Sequence, residues 1–163
     1  MGRNVLRTFK FKISWRPSNT AGDYTVVGGC TRVSGLRRSQ DAIDYRAGED
    51  ESNASIKMEG LVKYATVTFE RGMALDTEFL VWAEQSSDQA TESVDIKKDI
   101  LVEILDKKGA TQKMYVIKNA WPSDLEVTDL DSGASSLVFE RISVEHEGFT
   151  ISKEGAASES FLV

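Results

Sequence analysis

The chain has 163 residues, 40% hydrophobic and 28% charged, enough for one domain with a substantial core and ordinary for a globular fold. A net charge of −6 argues against a general nucleic-acid binder, whose surface must be basic to hold phosphates, though it leaves room for a local basic patch. The single cysteine, Cys30, excludes an internal disulfide, and no apolar run approaches the roughly eighteen residues a membrane span needs.

Met1–Arg7 is basic but lacks the apolar stretch of a secretory signal, so the expectation is a protein made and folded in the cytoplasm without membrane anchoring. Arg7–Arg16 alternates: Phe9, Phe11, Ile13 and Trp15 point one way and Lys10, Lys12 and Ser14 the other, which predicts a half-buried strand. Pro17–Asp23 is a turn. Tyr24–Val33 reads as a second strand, loosened at Gly28 and Gly29 in the way a bulge requires. Arg37–Ala47 follows as a third, with Ile43 and Tyr45 on one face and little apolar cover, and is expected to form a hairpin with the second. Gly48–Asn53 is an acidic loop, without the alternation of a calcium loop. Ser55–Glu59 is a short extended piece.

The stretch Leu61–Gln85 changes period. Val62–Glu70 is β-branched and aromatic, as a strand requires. Leu75, Phe79, Trp82 and Ala83 then recur at i, i+4, i+7 and i+8, which predicts a helix over 75–85 with Asp76 as N-cap. No other segment has this spacing over a comparable length. Phe79 and Trp82 on the helix, and Trp121 beside Pro122, are the expected anchors in the core.

After a polar linker, Val94–Lys107 predicts the longest strand, apolar on both faces and so covered on both. Asp106–Ala110 is a hairpin turn with Gly109 able to take φ > 0. Lys113–Asn119 returns, and Pro122 should close it because proline has no N–H for a ladder. Asp124–Asp131 reads as a short strand and Ser136–Glu147 as the last, with Val138, Ile142 and Val144 inward. Lys153–Val163 is a polar tail ending in Phe161, Leu162 and Val163. The absence of βαβ alternation argues against a doubly wound sheet. The expectation is mainly β: an antiparallel β-barrel or sandwich of about eight strands with one flanking α-helix, a single domain over 1–163 with terminal extensions at 1–6 and 153–163.

Residues that could carry chemistry are sparse. One histidine, His146, shares a face with Ile142 and Val144, the setting of a structural histidine. One histidine and one cysteine supply too few ligands for a zinc site, and a nucleophile activated by His146 and a carboxylate is not supported, since Cys30 lies in a glycine-rich strand with no recognisable local motif. Gly28-Gly29 precedes no helix and no Walker lysine. Asp99, Glu103 and Asp106 are spaced along one strand, where a solvated face is the ordinary reading. No enzyme and no cofactor are expected.

Several segments, in order, resemble the tail tube family of contractile phage tails and extracellular contractile injection systems. They are Phe9–Ile13, Thr31–Leu36 and Asp44–Gly48; then Glu59–Tyr64, Thr68–Gly72, and Asp76 with Trp82; then Asp99-Ile100, Leu105-Asp106 and Gly109, Asn119–Pro122 and Glu145–Phe149. They span roughly residues 9–150. Glu59 stands where the family more often has proline, and Arg32 where it has glutamate, which bears on local turn geometry and ring charge.

The resemblance implies a barrel-like sandwich similar to the type VI secretion tube protein. It further implies hexameric rings, stacked into a hollow tube inside a sheath, with baseplate and spike proteins at one end and a tube-terminating cap at the other. Cargo protein or DNA would pass through the lumen. The particle would be a phage tail or a released injection particle, assembled in the producer's cytoplasm. Two hairpins, Tyr24–Ala47 and Ile96–Asn119, would line the lumen and meet neighbouring subunits, bringing Arg37, Arg38, Asp41, Asp44, Arg46, Lys97, Asp99, Glu103 and Lys118 to that wall. Glu49, Asp50 and Glu51 would lie where ring meets ring. The competing expectation is a monomeric β-barrel that binds a small molecule, which requires a large apolar pocket inside one subunit.

Overall fold

The alternation that opens the chain builds β1, Lys10–Pro17. The structure, a computed structural model, describes residues 10–18, 20–46, 48, 55–72, 77–88, 96–133 and 138–153. Among them follow β2 Thr25–Cys30, β3 Arg32–Ser34, β4 Arg38–Tyr45, β5 Ile56–Tyr64 and β6 Val67–Gly72. Then come α1 Glu78–Ser87, β7 Lys98–Leu105, β8 Thr111–Val127, β9 Phe139–Glu145 and β10 Gly148–Lys153. Eight strands form one antiparallel sheet in the order β2-β1-β7-β8-β9-β6-β3, with β10 also on β8. β4 and β5 pair with each other as a separate two-stranded ribbon.

The long strand β8 divides the large sheet in two. Its first half pairs with β7 and β10, and its second half with β9. The change falls at Asn119–Pro122. Asn119 takes φ +50, a left-handed conformation that asparagine tolerates better than most residues. The register shifts again between Pro122 and Asp124. Pro122 therefore does not end a strand, as its missing N–H suggested; it sits in the corner where β8 leaves one partner for another, beside a bulge. The predicted strand over 124–131 is the far end of β8, and β8, not the strand before it, is the longest.

The same change of sheet splits two other predicted strands. Tyr24–Val33 becomes β2, paired with β1, and β3, paired with β6. The expected looseness at Gly28 is a register shift against Ile13 and Ser14. Val62–Glu70 becomes the end of β5 and the start of β6, parted at Ala65–Thr66. The last strand is not β9 but β10, a run containing Phe149 and Ile151 and ending at Lys153, the first residue of the expected tail.

Inward residues of both halves meet in one core: Ile13, Val27, Ile100, Val102 and Ile117 from one, Val67, Phe69, Ile142 and Val144 from the other. The helix starts at Glu78 behind Thr77, later than the predicted 75; Leu75 and the expected cap Asp76 lie outside the described residues. It buries Phe79 and Trp82, as its spacing requires. Trp82 stands edge-on to Trp15, with ring centroids 5.0 Å apart, and its Nε1–H donates to the Ile96 carbonyl at 2.8 Å. Trp121 is not a core anchor: it is 42% exposed, because its side chain falls on the outer face of the corner. The interior that a small-molecule barrel would need open is filled by these side chains.

The ribbon leaves the body at a crossing point. Gly35 has φ +87 and lies so close to Thr66 that a Cβ there would overlap the Thr66 carbonyl, so only glycine fits. Ala65 N donates to Arg37 O at 3.1 Å, and Thr66 Oγ1 to Glu145 Oε1 at 2.6 Å. Gly148 N–H donates to His146 Nδ1 at 3.2 Å, so the proton of the neutral ring is on Nε2, which donates to Ala65 O at 2.9 Å. The Tyr64, His146 and Phe149 rings pack around this bond.

Trp82→Ala should cost about 3–5 kcal/mol of stability, since it removes a large fully buried side chain and its hydrogen bond; denaturant titration measures this. His146→Ala should cost only about 1–2 kcal/mol, but should raise amide exchange selectively over β4 and β5, because the bonds it removes tie the ribbon to the body. Uniform protection in that variant would show that the ribbon is held by other contacts.

Candidate assembly surfaces

The ribbon is exposed along β4 and along β5 except at Gly60 and Tyr64, which ordinary burial of apolar residues would not produce. The register places Ile43 opposite Met58 and Tyr45 opposite Ile56, so these four share one face. Each is 53–54% exposed. On the opposite face Asp44 pairs in register with Lys57, and the Lys63 ammonium meets the Asp41 carboxylate at 2.8 Å. The register slips between Gln40 and Ala42, opposite Gly60, where a Cβ would come within 2.8 Å of the Asp41 carbonyl. The ribbon thus has an apolar side and a mainly charged side, on which Leu61 is also exposed. A two-stranded hairpin with an uncovered apolar face is marginal in water.

The hairpin partner of β4 is therefore β5 and not, as expected, the strand over 24–33. The other predicted hairpin is present: β7 and β8 pair antiparallel around Gly109, which has φ +85, and the Asp106 carboxylate accepts from Lys108 N and Ala110 N. Those bonds hold the Asp106 carboxyl below the usual carboxylate range, the one from Ala110 most of all. This hairpin lies within the large sheet. Beside Ile100, Val102 and Ile104 on the core side, β7 carries Asp99, Leu101, Glu103 and Leu105 on the other.

The predicted wall residues fall into two groups that one chain does not bring together. Arg38, Asp41 and Asp44 lie on β4, with Arg37 and Arg46 at its ends, all exposed. Lys97, Asp99, Glu103 and Lys118 lie on or beside β7 and β8 and are tied into pairs. Lys97 Nζ meets Glu147 Oε1 at 2.8 Å, and with Asn119 Nδ2 on the other oxygen it lowers the Glu147 pKa. Glu103 accepts from Lys12 at 3.1 Å and from Thr111 Oγ1 at 3.2 Å. Asp99 is not a free wall charge. It is buried, accepts from Ser18 Oγ and the Asn119 N–H, and is flanked by Arg16 at 3.7 Å and Lys118 at 3.6 Å, because it fixes the β8 corner. Glu49, Asp50 and Glu51 lie outside the described residues.

The two residues with the readiest chemistry are in structural settings. Cys30 is buried, and burial pushes its thiol up to about 12 against the opposing effect of Arg71, so the reactive thiolate is scarce at neutral pH. Both ring nitrogens of His146 bond to backbone groups. Among the described residues no cluster of histidine, cysteine and carboxylates could hold a metal ion, and no helix is long and apolar enough to cross a membrane.

A solved structure of the PVC extracellular contractile injection system, a sheath–tube complex in the extended state, contains a chain of the same fold. It is 21% identical, the match covers 93% of each chain, and the TM-score is 0.74. A chain from the six-fold symmetrised baseplate of the anti-feeding prophage is 16% identical over 94% of this chain and 98% of that one, with a TM-score of 0.73. Hcp1 from Flavobacterium johnsoniae is more distant, at 14% identity, 89% and 96% coverage and a TM-score of 0.50. A search of curated proteins finds no match. The model of the T4-like virus tail tube protein gp19 family matches residues 7–150. The chain belongs to that family and is a structural subunit of a tail tube.

Proposed function

We propose that this subunit closes into hexameric rings that stack into the inner tube of a contractile tail or injection particle. The observation that carries the reading is the ribbon face of Ile43, Tyr45, Ile56 and Met58. Fully burying such a side chain is worth about 1.5–3 kcal/mol, and these are half exposed already, so covering each is worth roughly half that; a neighbouring copy of the same chain is the cover that repeats around a ring. Ring closure also removes the exposed strand edges that invite uncontrolled pairing. Support for six-fold closure comes from the symmetry stated for the anti-feeding prophage baseplate.

In this reading the ribbon β4–β5 takes the place of the predicted 24–47 hairpin beside the β7–β8 hairpin. The lumen wall is built from the charged sides of both. Arg38, Asp41 and Asp44 come from the ribbon, and the Lys12–Glu103 pair and Lys118 from the sheet. Paired charges give a wetted wall with little net field, suited to passing protein cargo or DNA without holding it. The outer surface includes the exposed face of α1, with Glu78, Glu84 and Gln85 beside Leu80 and Val81, and is assigned to the sheath. Baseplate, spike and cap proteins meet the tube ends. The subunit performs no catalysis, a reading supported by the settings of Cys30 and His146. It assembles in the cytoplasm of the producer and leaves as part of the particle, as a single domain.

Electron microscopy and sedimentation test this directly. The purified chain should form rings or filaments as its concentration rises. Ile43→Glu and Met58→Glu should each raise the concentration needed by at least roughly tenfold, about 1.4 kcal/mol. The melting temperature of the dilute subunit should stay nearly constant, because the ribbon lies outside the core. A protein that remains monomeric at high concentration, alone and with baseplate partners, refutes the tube reading.

A further inference from the structure

The outer face of the second half of the sheet carries a row of alternating charge. Register places Arg32 of β3 opposite Glu70 of β6, Glu70 opposite Arg141 of β9, and Arg141 opposite Glu126 of β8. Within the row the charges are paired. Arg141 donates to Glu70 Oε2 from Nε at 3.1 Å and Nη2 at 3.0 Å, and to Glu126 Oε2 from Nη1 at 2.7 Å. The two ends of the row differ. β3 is the last strand on one side, and Arg32 stands there exposed, with no ion pair among the described residues. On the other side β7 pairs with β8 only as far as Ala120, so over 121–127 β8 is itself the outermost described strand. The helix bonds to β8 at Pro122 and leaves Asp124 and Glu126 exposed, the Glu126 side chain by 54%.

Three strand spacings, about 14 Å, separate Arg32 from Glu126, so the row cannot close on itself within one chain. It can continue into a second copy. We propose that copies of the chain meet side by side, with Glu126 of one at Arg32 of the next, so that the alternating row runs on from subunit to subunit. The inference rests on the ring reading and names one of its lateral contacts. Strand direction permits it: β3, β6, β9 and β8 alternate, so the far end of a second β8 lies antiparallel to β3. In the adjoining row Ser34 lies opposite Thr68, Thr68 opposite Ser143 and Ser143 opposite Asp124. Asp124 therefore arrives at Ser34 as Glu126 arrives at Arg32. The receiving side is a polar groove of about 250 Å³ enclosed by Arg32, Ser34, Thr68, Glu70 and Arg141. A guanidinium beside hydroxyl donors is the chemistry that binds a carboxylate.

The same row selects the symmetry. A two-fold dimer through either edge sets Arg32 against Arg32 or Glu126 against Glu126, and like charges directly opposite repel. Only the head-to-tail contact pairs opposite signs, and a head-to-tail contact repeats in one rotational sense until it closes a ring. Copies of a chain with net charge −6 repel in most other orientations, which sharpens the preference.

The test is cross-linking of the assembled protein with a short bismaleimide. Arg32→Cys combined with Glu126→Cys is compared with each single variant and with the wild-type chain, and circular dichroism checks the fold. Cys30 is buried and burial keeps its thiol protonated, so it stays out of the reaction. The double variant should give a ladder of covalent oligomers on a denaturing gel, ending at the copy number of the closed ring. A link within one chain would run as a monomer. Each single variant should stay monomeric on the gel, and the two mixed should give dimers and no higher ladder. Arg32→Gln, which keeps a polar side chain beside Glu70, should raise the concentration needed for rings roughly fivefold and flatten its dependence on salt. Rings without a ladder, single variants that form dimers as readily as the double variant, or Arg32→Gln assembling as the wild type does, each overturn the lateral contact and leave the tube reading intact. A wild-type chain that forms no rings overturns both.

Discussion

The structure turns on one strand that serves two halves of a sheet. β8 can leave β7 for β9 only if its backbone bends at Asn119–Pro122, and a bend leaves backbone groups without ladder partners. Asp99 answers one of these, accepting the Asn119 N–H while it also accepts from Ser18. A carboxylate buried to that degree is costly unless it is compensated, and Arg16 and Lys118 compensate it. Pro122 contributes by having no N–H to satisfy. The two halves of the core meet across this corner, and the helix, whose Ser86 Oγ bonds the Pro122 carbonyl, packs beside it.

The ribbon has the opposite character. Inside the body apolar side chains find partners from the same chain; on β4 and β5 they do not. Its root is nevertheless specified closely, by a glycine that admits no side chain at Gly35 and by a histidine in one tautomer. A root so well determined under a face so poorly covered implies that direction matters and that the cover comes from elsewhere. In the proposed tube, folding of the subunit and assembly use the same hydrophobic effect on different surfaces.

Polar side chains that elsewhere signal catalysis act here as fasteners. Arg71 is buried against Glu140 at 3.0 Å and lies 4.2 Å from the Phe79 ring centroid, joining β6, β9 and the helix. Lys98 lies over Trp15 and Trp82, where burial lowers its pKa against the opposing pull of Glu78. These contacts stabilise elements relative to one another.

The sequence by itself determined the local structure: the alternation of β1, the helix through Phe79 and Trp82, the Gly109 turn, and the inward placing of Ile142 and Val144. These follow from period and turn chemistry, which are properties of neighbouring residues. The ordered motifs also pointed to the tail tube family. Only the tertiary structure decided which strands pair. That β4 takes β5, that Val62–Glu70 breaks at Ala65, and that β10 exists depend on which edges meet in space, and an alternating run does not name its partner. Trp121 was misplaced because indole suggests burial, while the corner at Pro122 turns it outward. Asp99 read as a surface charge because alternation assigns a face but not what covers it. The open Arg32 groove left no signal in the sequence, since its five residues come from three strands and meet only through register.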